Sequence, residues 1–275
     1  MSNLRAAPRR VVLPLPAHGF ETTEASVPWK VLTDAGCTVT IATPDGAVAQ
    51  PDETTLTGKG LGMLGYIFRA QKPARAAYAA MSQSASFQAP VTWSDINADD
   101  FDAIVIPGGH HQDMRPFLES VVLQAAIGEF FAQDKLVAAI CHGVLLAARS
   151  TGTDGNSVLY GRRATTVPAA TENMVWKMCH KKVGHERFGK PYDLTAEEEV
   201  RELLASPDDL LIAKPGLRKD APGKEARGVC IVDGNFLSSR LPHDAWCFAK
   251  TVAETLLARA HHAPAASRAS EATAY

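Results

Sequence analysis

The residues Leu136-Val137-Ala138-Ala139-Ile140-Cys141-His142-Gly143 decide the fold, because an apolar run ends there in a reactive side chain. Five apolar residues are too few for an ordinary helix, so the run predicts a buried strand. The Ala- and Leu-rich residues after Gly143 predict a helix. Cys141 is therefore expected at a turn from strand to helix, where N–H groups and the helix dipole favour a nucleophilic thiolate. A buried structural cysteine is the alternative.

Other segments repeat the alternation of strand and helix around this turn. Predicted strands cover 10–15, 38–43 and 102–107, and predicted helices cover 20–36, 121–131 and 245–259. Short apolar runs on both sides of Asp233-Gly234-Asn235 predict a hairpin. Repeated strand–helix pairs predict an α/β fold, in which helices sandwich a doubly wound parallel sheet.

The chain is expected to form one domain over residues 1–260. Two segments interrupt the alternation, 52–100 and 169–224, and both are interpreted as insertions. The second contains an amphipathic helix at 195–204 and a loop rich in Pro, Gly and Lys at 214–224. The Ala- and Ser-rich segment 261–275 is predicted to be a disordered tail.

Composition excludes several classes of protein. The 275 residues are 46% hydrophobic and 21% charged with a net charge of -2, and no basic block indicates nucleic-acid binding. Five cysteines without a CxxC spacing indicate neither a disulfide framework nor a zinc ribbon, and reduced thiols fit the cytoplasm. Prolines interrupt the apolar run at 11–15, which is too short for a signal peptide or membrane span. We therefore predict a cytoplasmic protein with no membrane or nucleic-acid partner.

A parallel sheet gathers its ligand site at the carboxyl ends of its strands, which brings residues distant in sequence together. The residues expected there are His18 and Glu24 after the first strand, Gly108, Gly109 and His110 after the third, and Cys141 and His142 after the fourth. The N–H groups of Gly109 and His142 are predicted to form an oxyanion hole. Gly108, His110 and His18 are predicted to line the substrate pocket.

Two weaker motifs are interpreted conservatively. Residues 60–65 match GxGxxG, but no apolar strand leads into them, so a loop is expected in place of a dinucleotide site. Cys179, His180 and His185, even with the His110-His111 pair, fit no standard zinc spacing. We therefore predict neither a metal nor a dissociable cofactor.

Six short motifs stand in a fixed order along the chain. They are GFETTE (19–24), the strand ending in PDG (39–46), IPGGH (106–110), AICHG (139–143), GRRATT (161–166) and VDGNFLSSR (232–240). In this order the chain resembles the DJ-1/PfpI superfamily of class I glutamine amidotransferase-like proteins over most of its length. The resemblance is greatest to the PfpI and glyoxalase III-like branches, which carry a Cys-His pair. It implies a flavodoxin-like α/β sandwich that forms a homodimer.

The resemblance also implies roles for particular residues. Glu24 is the carboxylate that hydrogen-bonds the thiol of the nucleophile Cys141, and His142 is the adjacent histidine. The alternative for Glu24 is a helix-start role, with Thr22 or Thr23 as the cap. Smaller members that resemble DJ-1 itself carry a histidine where this chain has Val167.

The acid that orients His142 is left open by the sequence. Glu172, in the loop after Pro168, is the candidate that we favour. Asp244, after Pro242-His243, is a rival, and an acid from a neighbouring subunit is a third possibility.

The leading functional hypothesis is a cysteine-dependent enzyme that acts on a small carbonyl compound. In the glyoxalase III-like version, Cys141 adds to a 2-oxoaldehyde and a 2-hydroxy acid leaves without help from a cofactor. The same groups suit an amidase, another hydrolase or an isocyanide hydratase. A non-enzymatic redox sensor or holdase chaperone, in which Cys141 is oxidised, is the alternative of a different class.

Overall fold

The central feature of the fold is a seven-stranded sheet, in a computed structural model that describes residues 7–213 and 219–262. The strands are β1 (Arg10–Pro14), β2 (His18–Phe20), β3 (Thr38–Thr43), β4 (Gln50–Pro51), β5 (Val91–Thr92), β6 (Ala103–Ile106), β7 (Leu136–Ile140), β8 (Cys230–Asp233) and β9 (Phe236–Ser239). The sheet order is β5-β3-β1-β6-β7-β9-β8, while β2 and β4 pair separately. Within these residues β8 alone runs antiparallel to its neighbour in the main sheet. The predicted doubly wound, mostly parallel sheet is confirmed.

The helices form two groups around this sheet. They are α1 (Thr22–Asp34), α2 (Glu53–Thr57), α3 (Gly65–Phe68), α4 (Lys72–Ser82), α5 (Ala85–Gln88), α6 (Arg115–Leu118), α7 (Val121–Ala132), α8 (Gly143–Arg149), α9 (Ala169–Val183), α10 (Ala196–Leu203) and α11 (Ala245–His262). One group comprises α4 and α11 packed on α1, and the other comprises α7 and α10 packed on α8. Because helices cover both faces, the residues of β6 and β7 are all buried and nearly all aliphatic.

The strand order sets the place of the site. From β1 the chain passes to β3 on one side and later to β6 and β7 on the other, so the order reverses between β1 and β6. Loops that leave adjacent strands at such a reversal diverge and leave a crevice at the carboxyl end of the sheet. The loops after β1, β6 and β7 carry the residues singled out from the sequence.

The segment 52–100 is not wholly an insertion. It ends in β5, which pairs with β3 at the edge of the main sheet through Ala42 and Val91. It also supplies α4, which packs against α1 and buries Ala74 and Met81 completely. These residues are part of the core because their apolar faces close the sheet edge beside β3.

The later predicted segments agree with the structure in part. The helix expected at 195–204 is α10, and Thr195 caps its first turn. The hairpin around Gly234 is confirmed, since β8 and β9 pair across it and Gly234 has a φ of +62°. In the predicted loop 214–224, residues 214–218 lie outside the described residues. In the predicted tail, 261–262 close α11, whereas 263–275 lie outside the described residues.

The fold shows no candidate membrane span. Over the two described ranges, no helix is both long enough and apolar enough to cross a bilayer.

Candidate active site

Cys141 sits on a strained turn between β7 and α8, as the sequence predicts. Its φ is +59°, a left-handed conformation that non-glycine residues rarely adopt. The turn is held from two sides: the Cys141 N–H donates to the Ser239 carbonyl at 3.0 Å, and the Thr166 hydroxyl donates to the Cys141 carbonyl at 2.9 Å. Gly143 is required next, because a Cβ there would lie 2.6 Å from the Ile106 carbonyl oxygen. The surrounding fold therefore fixes the direction of the thiol.

Glu24 reaches this thiol from the first turn of α1. Its side chain is completely buried, its Oε2 accepts from the Gly108 N–H at 3.0 Å, and its carboxyl is close enough to the thiol of Cys141 for each group to shift the pKa of the other. Burial, followed by the charge of Glu21, raises the pKa of Glu24 well above its ordinary value. Burial thus favours the protonated form of Glu24, which lies beside the thiol.

The residue that caps the start of α1 is neither Thr22 nor Thr23. The carboxylate of Glu21 accepts from the Glu24 N–H at 2.7 Å and is the N-cap of α1. The prediction that Thr22 or Thr23 caps the helix is wrong. Because Glu21 supplies the cap, the carboxyl of Glu24 faces the elbow.

The resting thiol is not the thiolate that the helix terminus suggests. Burial raises the pKa of Cys141 well above its ordinary value, and the charge of Glu24 raises it further. The His142 backbone N–H, which contacts the thiol, opposes these effects but is outweighed by burial. The prediction from the helix dipole alone is therefore wrong for the free protein, because desolvation is the larger effect in a closed site.

His142 joins the thiol to a buried carboxylate. Its Nδ1 lies 3.5 Å from the Sγ of Cys141, and its Nε2 lies 3.3 Å from Oε1 of Glu172. Both side chains are 1% exposed. The second contact is close enough for an ion pair but is not aligned as a hydrogen bond. A chain of thiol, imidazole and carboxylate is the arrangement that activates a nucleophile by general base catalysis.

Glu172 lies in the first turn of α9, so its predicted place in a loop is wrong, and it is held there by the next helix, α10. Its other oxygen, Oε2, accepts from the N–H of Ala196 at 2.9 Å, at the first residue of α10. In return, Glu197 of α10 accepts from the N–H of Ala169, the first residue of α9, at 2.7 Å. The first turns of α9 and α10 are therefore held together by two hydrogen bonds, and the Glu172 carboxylate faces His142 of the same chain.

Asp244 is not the orienting acid. Its two carboxylate oxygens accept from Arg240 at 2.9 Å each, and Oδ1 also accepts from the Val229 N–H at 3.1 Å. These contacts commit Asp244 to a buried ion pair near the start of α11. The structure thus separates the two acids that the sequence leaves as rivals.

The glycines of the loop after β6 pack behind the site. The N–H of Gly108 is used by Glu24, and a Cβ at Gly108 would lie 2.8 Å from the His142 nitrogen. A Cβ at Gly109 would lie 2.8 Å from the Gly19 carbonyl oxygen. Neither glycine is among the described residues that line the cavity at Cys141. The predicted pocket role of Gly108 is therefore replaced by a backbone contact that positions Glu24, and the oxyanion role of Gly109 stays a prediction.

His110 is brought to the site, whereas His18 is not. His110 lines the cavity at Cys141, and its ring meets the edge of Phe188 at a centroid distance of 4.8 Å. Burial, followed by the charges of His142 and His111, lowers the pKa of His110 to about 3, so the ring is neutral. His18 is exposed and lines a different, polar cavity of about 370 Å³ with His111. Its predicted place in the substrate pocket is wrong.

The cavity at Cys141 has a volume of about 340 Å³ and is mainly apolar. Cys141, His142, Val167 and Glu172 form its buried end. The apolar remainder of the lining comes from α3, α9 and the residues before α11, and the side chains are Ile67, Phe68, Met174, Val175, Met178, Leu241 and Pro242.

Three titratable residues that the sequence did not single out also line this cavity. Burial raises the pKa of Glu21 to about 7, lowers the pKa of His243 to about 4 and lowers the pKa of Lys219. Glu21 stands inside the GFETTE motif, so its position was a usable signal. Lys219 and His243 lie in loops without a motif, and only the tertiary structure brings them here.

The cysteine and histidine residues considered for a metal are dispersed. Cys179 is buried against Leu61 and Phe188, and His180 stacks on Trp176 at a centroid distance of 4.6 Å. Across residues 7–213 and 219–262, no group of three or more His, Cys, Asp or Glu side chains is placed to hold a metal ion.

The fold and the strained cysteine define a class of protein: flavodoxin-like α/β proteins with a cysteine on a nucleophile elbow. A model of the family described as ThiJ/PfpI family-like matches residues 15–196. The chain therefore belongs to the ThiJ/PfpI family of the DJ-1/PfpI superfamily.

Individual relatives agree with this assignment. The chain is 30% identical over 166 residues to Deglycase PH1704 of Pyrococcus horikoshii, which covers 60% of this chain and 76% of that protein. It is 27% identical over 123 residues to an uncharacterised protein of Schizosaccharomyces pombe, covering 44% of this chain and 45% of that one. The chain thus spans less than half the length of that relative.

Among solved structures, glyoxalase III from Candida albicans has a TM-score of 0.59 with 17% identity. The match covers 91% of this chain and 96% of that chain. At this identity the likeness supports the fold.

Proposed function

We propose that the protein is a cofactor-independent enzyme that uses Cys141 as a nucleophile on a carbonyl compound, with glyoxalase III-like conversion of a 2-oxoaldehyde to a 2-hydroxy acid as its reaction. The observation that carries the proposal is the buried chain of Cys141, His142 and Glu172, with the protonated Glu24 on the other side of the thiol. The relatives named deglycases, at 29–30% identity over about 60% of this chain, support an enzyme.

The first step forms a bond between the sulfur of Cys141 and the aldehyde carbon. The thiol proton passes to His142, and Glu24 donates its proton to the aldehyde oxygen, which gives a hemithioacetal. A thiol with a raised pKa suits this order, because the proton leaves as the bond forms and no thiolate has to persist in the buried site.

The second step moves hydrogen from the former aldehyde carbon to the neighbouring carbon. Glu24, now a carboxylate, removes the proton from the first carbon while the protonated His142 donates to the oxygen on the second carbon, which gives an enediol. Glu24 then returns its proton to the second carbon and His142 takes the hydroxyl proton from the first carbon, which leaves a thioester. His142 and Glu24 both lie at the thiol and are the groups for these transfers. Water then breaks the carbon–sulfur bond and releases the 2-hydroxy acid and the thiol. No electron leaves the system, so no redox partner is required.

The test is turnover of methylglyoxal to lactate by the purified protein. Wild type is expected to form lactate, and Cys141→Ala is expected to form none above the uncatalysed rate. Cys37→Ala is the matched control, because Cys37 is a buried cysteine just before β3, at the opposite end of the sheet. Equal rates for wild type and Cys141→Ala would overturn the proposal. A parallel panel of amides and isocyanides tests whether the same machinery serves hydrolysis or hydration.

A homodimer, which the family resemblance implies, and a cytoplasmic location, which the unpaired cysteines favour, are part of this proposal. Sedimentation of the purified protein tests the dimer.

A further inference from the structure

The cavity at Cys141 has a buried end and an open end of different character. At the buried end Val167 is 3% exposed and Cys141 is also 3% exposed. At the open end Ile67 is 60%, Met174 is 48% and Met178 is 38% exposed. The exposed fraction of the lining side chains therefore increases from the reactive thiol to an apolar mouth.

One helix carries both the acid and part of this mouth. Along α9, residues 171, 172, 174, 175 and 178 line the cavity, a spacing of three and four residues that places them on one helix face. Glu172 faces His142, while Met174 and Met178 lie further along towards solvent. The placement of α9 therefore sets both the contact of Glu172 with His142 and the positions of Met174 and Met178 at the mouth.

The opposite side of the mouth is built by α3. Gly65, the last residue of the GxGxxG segment 60–65, packs directly on the backbone of Gly58. A Cβ at Gly65 would lie 2.5 Å from the Gly58 carbonyl oxygen. Only glycine permits this backbone contact, which turns the chain into α3 and brings Ile67 and Phe68 to the cavity. The Lys219 ammonium donates to the Ile67 carbonyl at 2.9 Å and ties α3 to the other side of the cavity.

Exposed apolar side chains that are grouped around a cavity, unlike those scattered singly over a surface, mark a binding site. A three-carbon substrate such as methylglyoxal leaves most of a cavity of about 340 Å³ empty, and its methyl group does not extend from the thiol to the mouth. An aromatic ring or a branched alkyl chain attached to the carbonyl group fills the space and covers the methionines. Methionine suits this wall, because its flexible thioether adapts to groups of different shape and contacts aromatic rings favourably.

We propose that the physiological substrate is a carbonyl compound bearing an apolar aromatic or branched alkyl group, held at the mouth of the cavity by Ile67, Met174 and Met178. This inference rests on the proposed reaction at Cys141 and adds the substrate class and the residues that select it. Specificity is then a matter of apolar area removed from water, which is about 25 cal/mol for each Å².

The experiment compares kcat/KM for phenylglyoxal with kcat/KM for methylglyoxal. The variant is the double change Met174→Gln with Met178→Gln, which keeps side-chain length and helix propensity but makes the wall polar. The control is Met63→Gln, because Met63 is 88% exposed and lies outside the cavity. The kcat/KM for phenylglyoxal divided by the kcat/KM for methylglyoxal is expected to fall at least tenfold in the double variant. In the control this ratio is expected to stay within twofold of wild type. An unchanged ratio in the double variant overturns the inference and leaves the proposed reaction standing.

A second readout does not depend on turnover. The rate of Cys141 alkylation by bromoacetophenone is compared with the rate by bromoacetone in the same three proteins. A preference for bromoacetophenone that is lost in the double variant supports the apolar mouth even if neither aldehyde is turned over, which separates failure of the reaction from failure of the inference. If the double change abolishes a dimer and leaves both ratios unchanged, the methionines are a subunit contact and the inference is overturned.

Discussion

The Nε2 of His142 lies 3.3 Å from the Oε1 of Glu172, although one residue follows β7 and the other belongs to α9. The pair is closed off from water, and the second oxygen of Glu172 is fixed by the start of α10. A histidine between a thiol and a buried carboxylate has its ring orientation set before substrate arrives, and this arrangement lowers the reorganisation needed for proton transfer.

Replacing Glu172 by Gln is expected to lower kcat at least tenfold, which corresponds to about 1.4 kcal/mol of transition-state stabilisation. The amide oxygen still accepts from Ala196, so α10 keeps its start while the imidazolium loses its countercharge. Glu186→Gln, on an exposed glutamate, is the control. Lactate formation and the free energy of unfolding are measured for both variants. Full activity of Glu172→Gln would show that His142 needs no orienting acid.

Replacing Glu24 by Gln is expected to lower turnover by about 10²- to 10⁴-fold, because an amide neither gives nor takes the proton. The pH profile of iodoacetamide alkylation supplies an independent measurement. Glu24 and Cys141 each shift the pKa of the other, so the wild-type profile is expected to show two steps and the variant one. Two steps in the profile of Glu24→Gln would contradict the pairing.

The strained turn at Cys141 reverses the usual ranking of alanine and glycine. At a φ of +59°, Cys141→Gly is expected to be more stable than Cys141→Ala by about 1–2 kcal/mol, because glycine adopts this conformation without strain. At Ala138, inside β7, glycine is expected to be the less stable residue. Urea unfolding of the three variants and wild type measures both differences. The same ranking at both positions would show that the turn is not strained.

The buried pair of Arg240 and Asp244 makes a stability prediction outside the proposed reaction. Asp244→Asn removes the charge of the carboxylate that pairs with the buried guanidinium of Arg240 and is expected to cost about 3–5 kcal/mol of unfolding free energy. Asp134→Asn is the matched control, because the carboxylate of Asp134 is 82% exposed beside Arg259 and its ion pair contributes about 0–1 kcal/mol. Denaturant unfolding compares the two. Equal losses would contradict the difference in burial.

Glu21 makes stability depend on pH with a defined sign. Its pKa is about 7 in the folded chain and 4.5 ordinarily, so the native state binds more protons than the unfolded chain between these values. The stability linked to Glu21 is complete below pH 4.5 and is lost as pH rises through about 7, at about 1.4 kcal/mol for each unit of pKa difference. The lowered pKa values of His110 and His243 act in the opposite direction.

Comparison with Glu21→Gln measures the contribution of Glu21 together with its effect on Glu24, whose pKa the charge of Glu21 also raises. The unfolding free energy of wild type minus that of the variant is expected to decrease from pH 5 to pH 7, since the histidine effects are common to both proteins. Urea unfolding at pH 5, 6 and 7 provides the values. A difference that stays constant over this range would show that Glu21 is not protonated in the folded protein.

Much of the architecture is predictable from local patterns. The strand Leu136–Ile140, the strand Thr38–Thr43 and the hairpin at Gly234 follow from short apolar runs, β-branched residues and a turn glycine. The elbow at Cys141 follows from the change between strand and helix. These features are local because backbone conformation and hydrogen bonding between near neighbours decide them.

The ionisation of the site is not visible in local patterns. A helix terminus next to Cys141 suggests a thiolate, whereas burial and the nearby Glu24 raise the pKa of the thiol. Both effects depend on what covers the site, and residues more than a hundred positions apart supply that cover. The exposed position of His18 and the use of Asp244 by Arg240 have the same origin.

The sequence by itself determined the doubly wound sheet, the family and the position of Cys141 between strand and helix, because each depends on residue order along the chain. Tertiary structure alone chose Glu172 over Asp244 and built the apolar cavity from α3, α9 and the residues before α11. The physical reason is that pKa, ion pairing and substrate contact depend on distance and solvent exclusion, which are properties of packed elements and not of neighbouring residues.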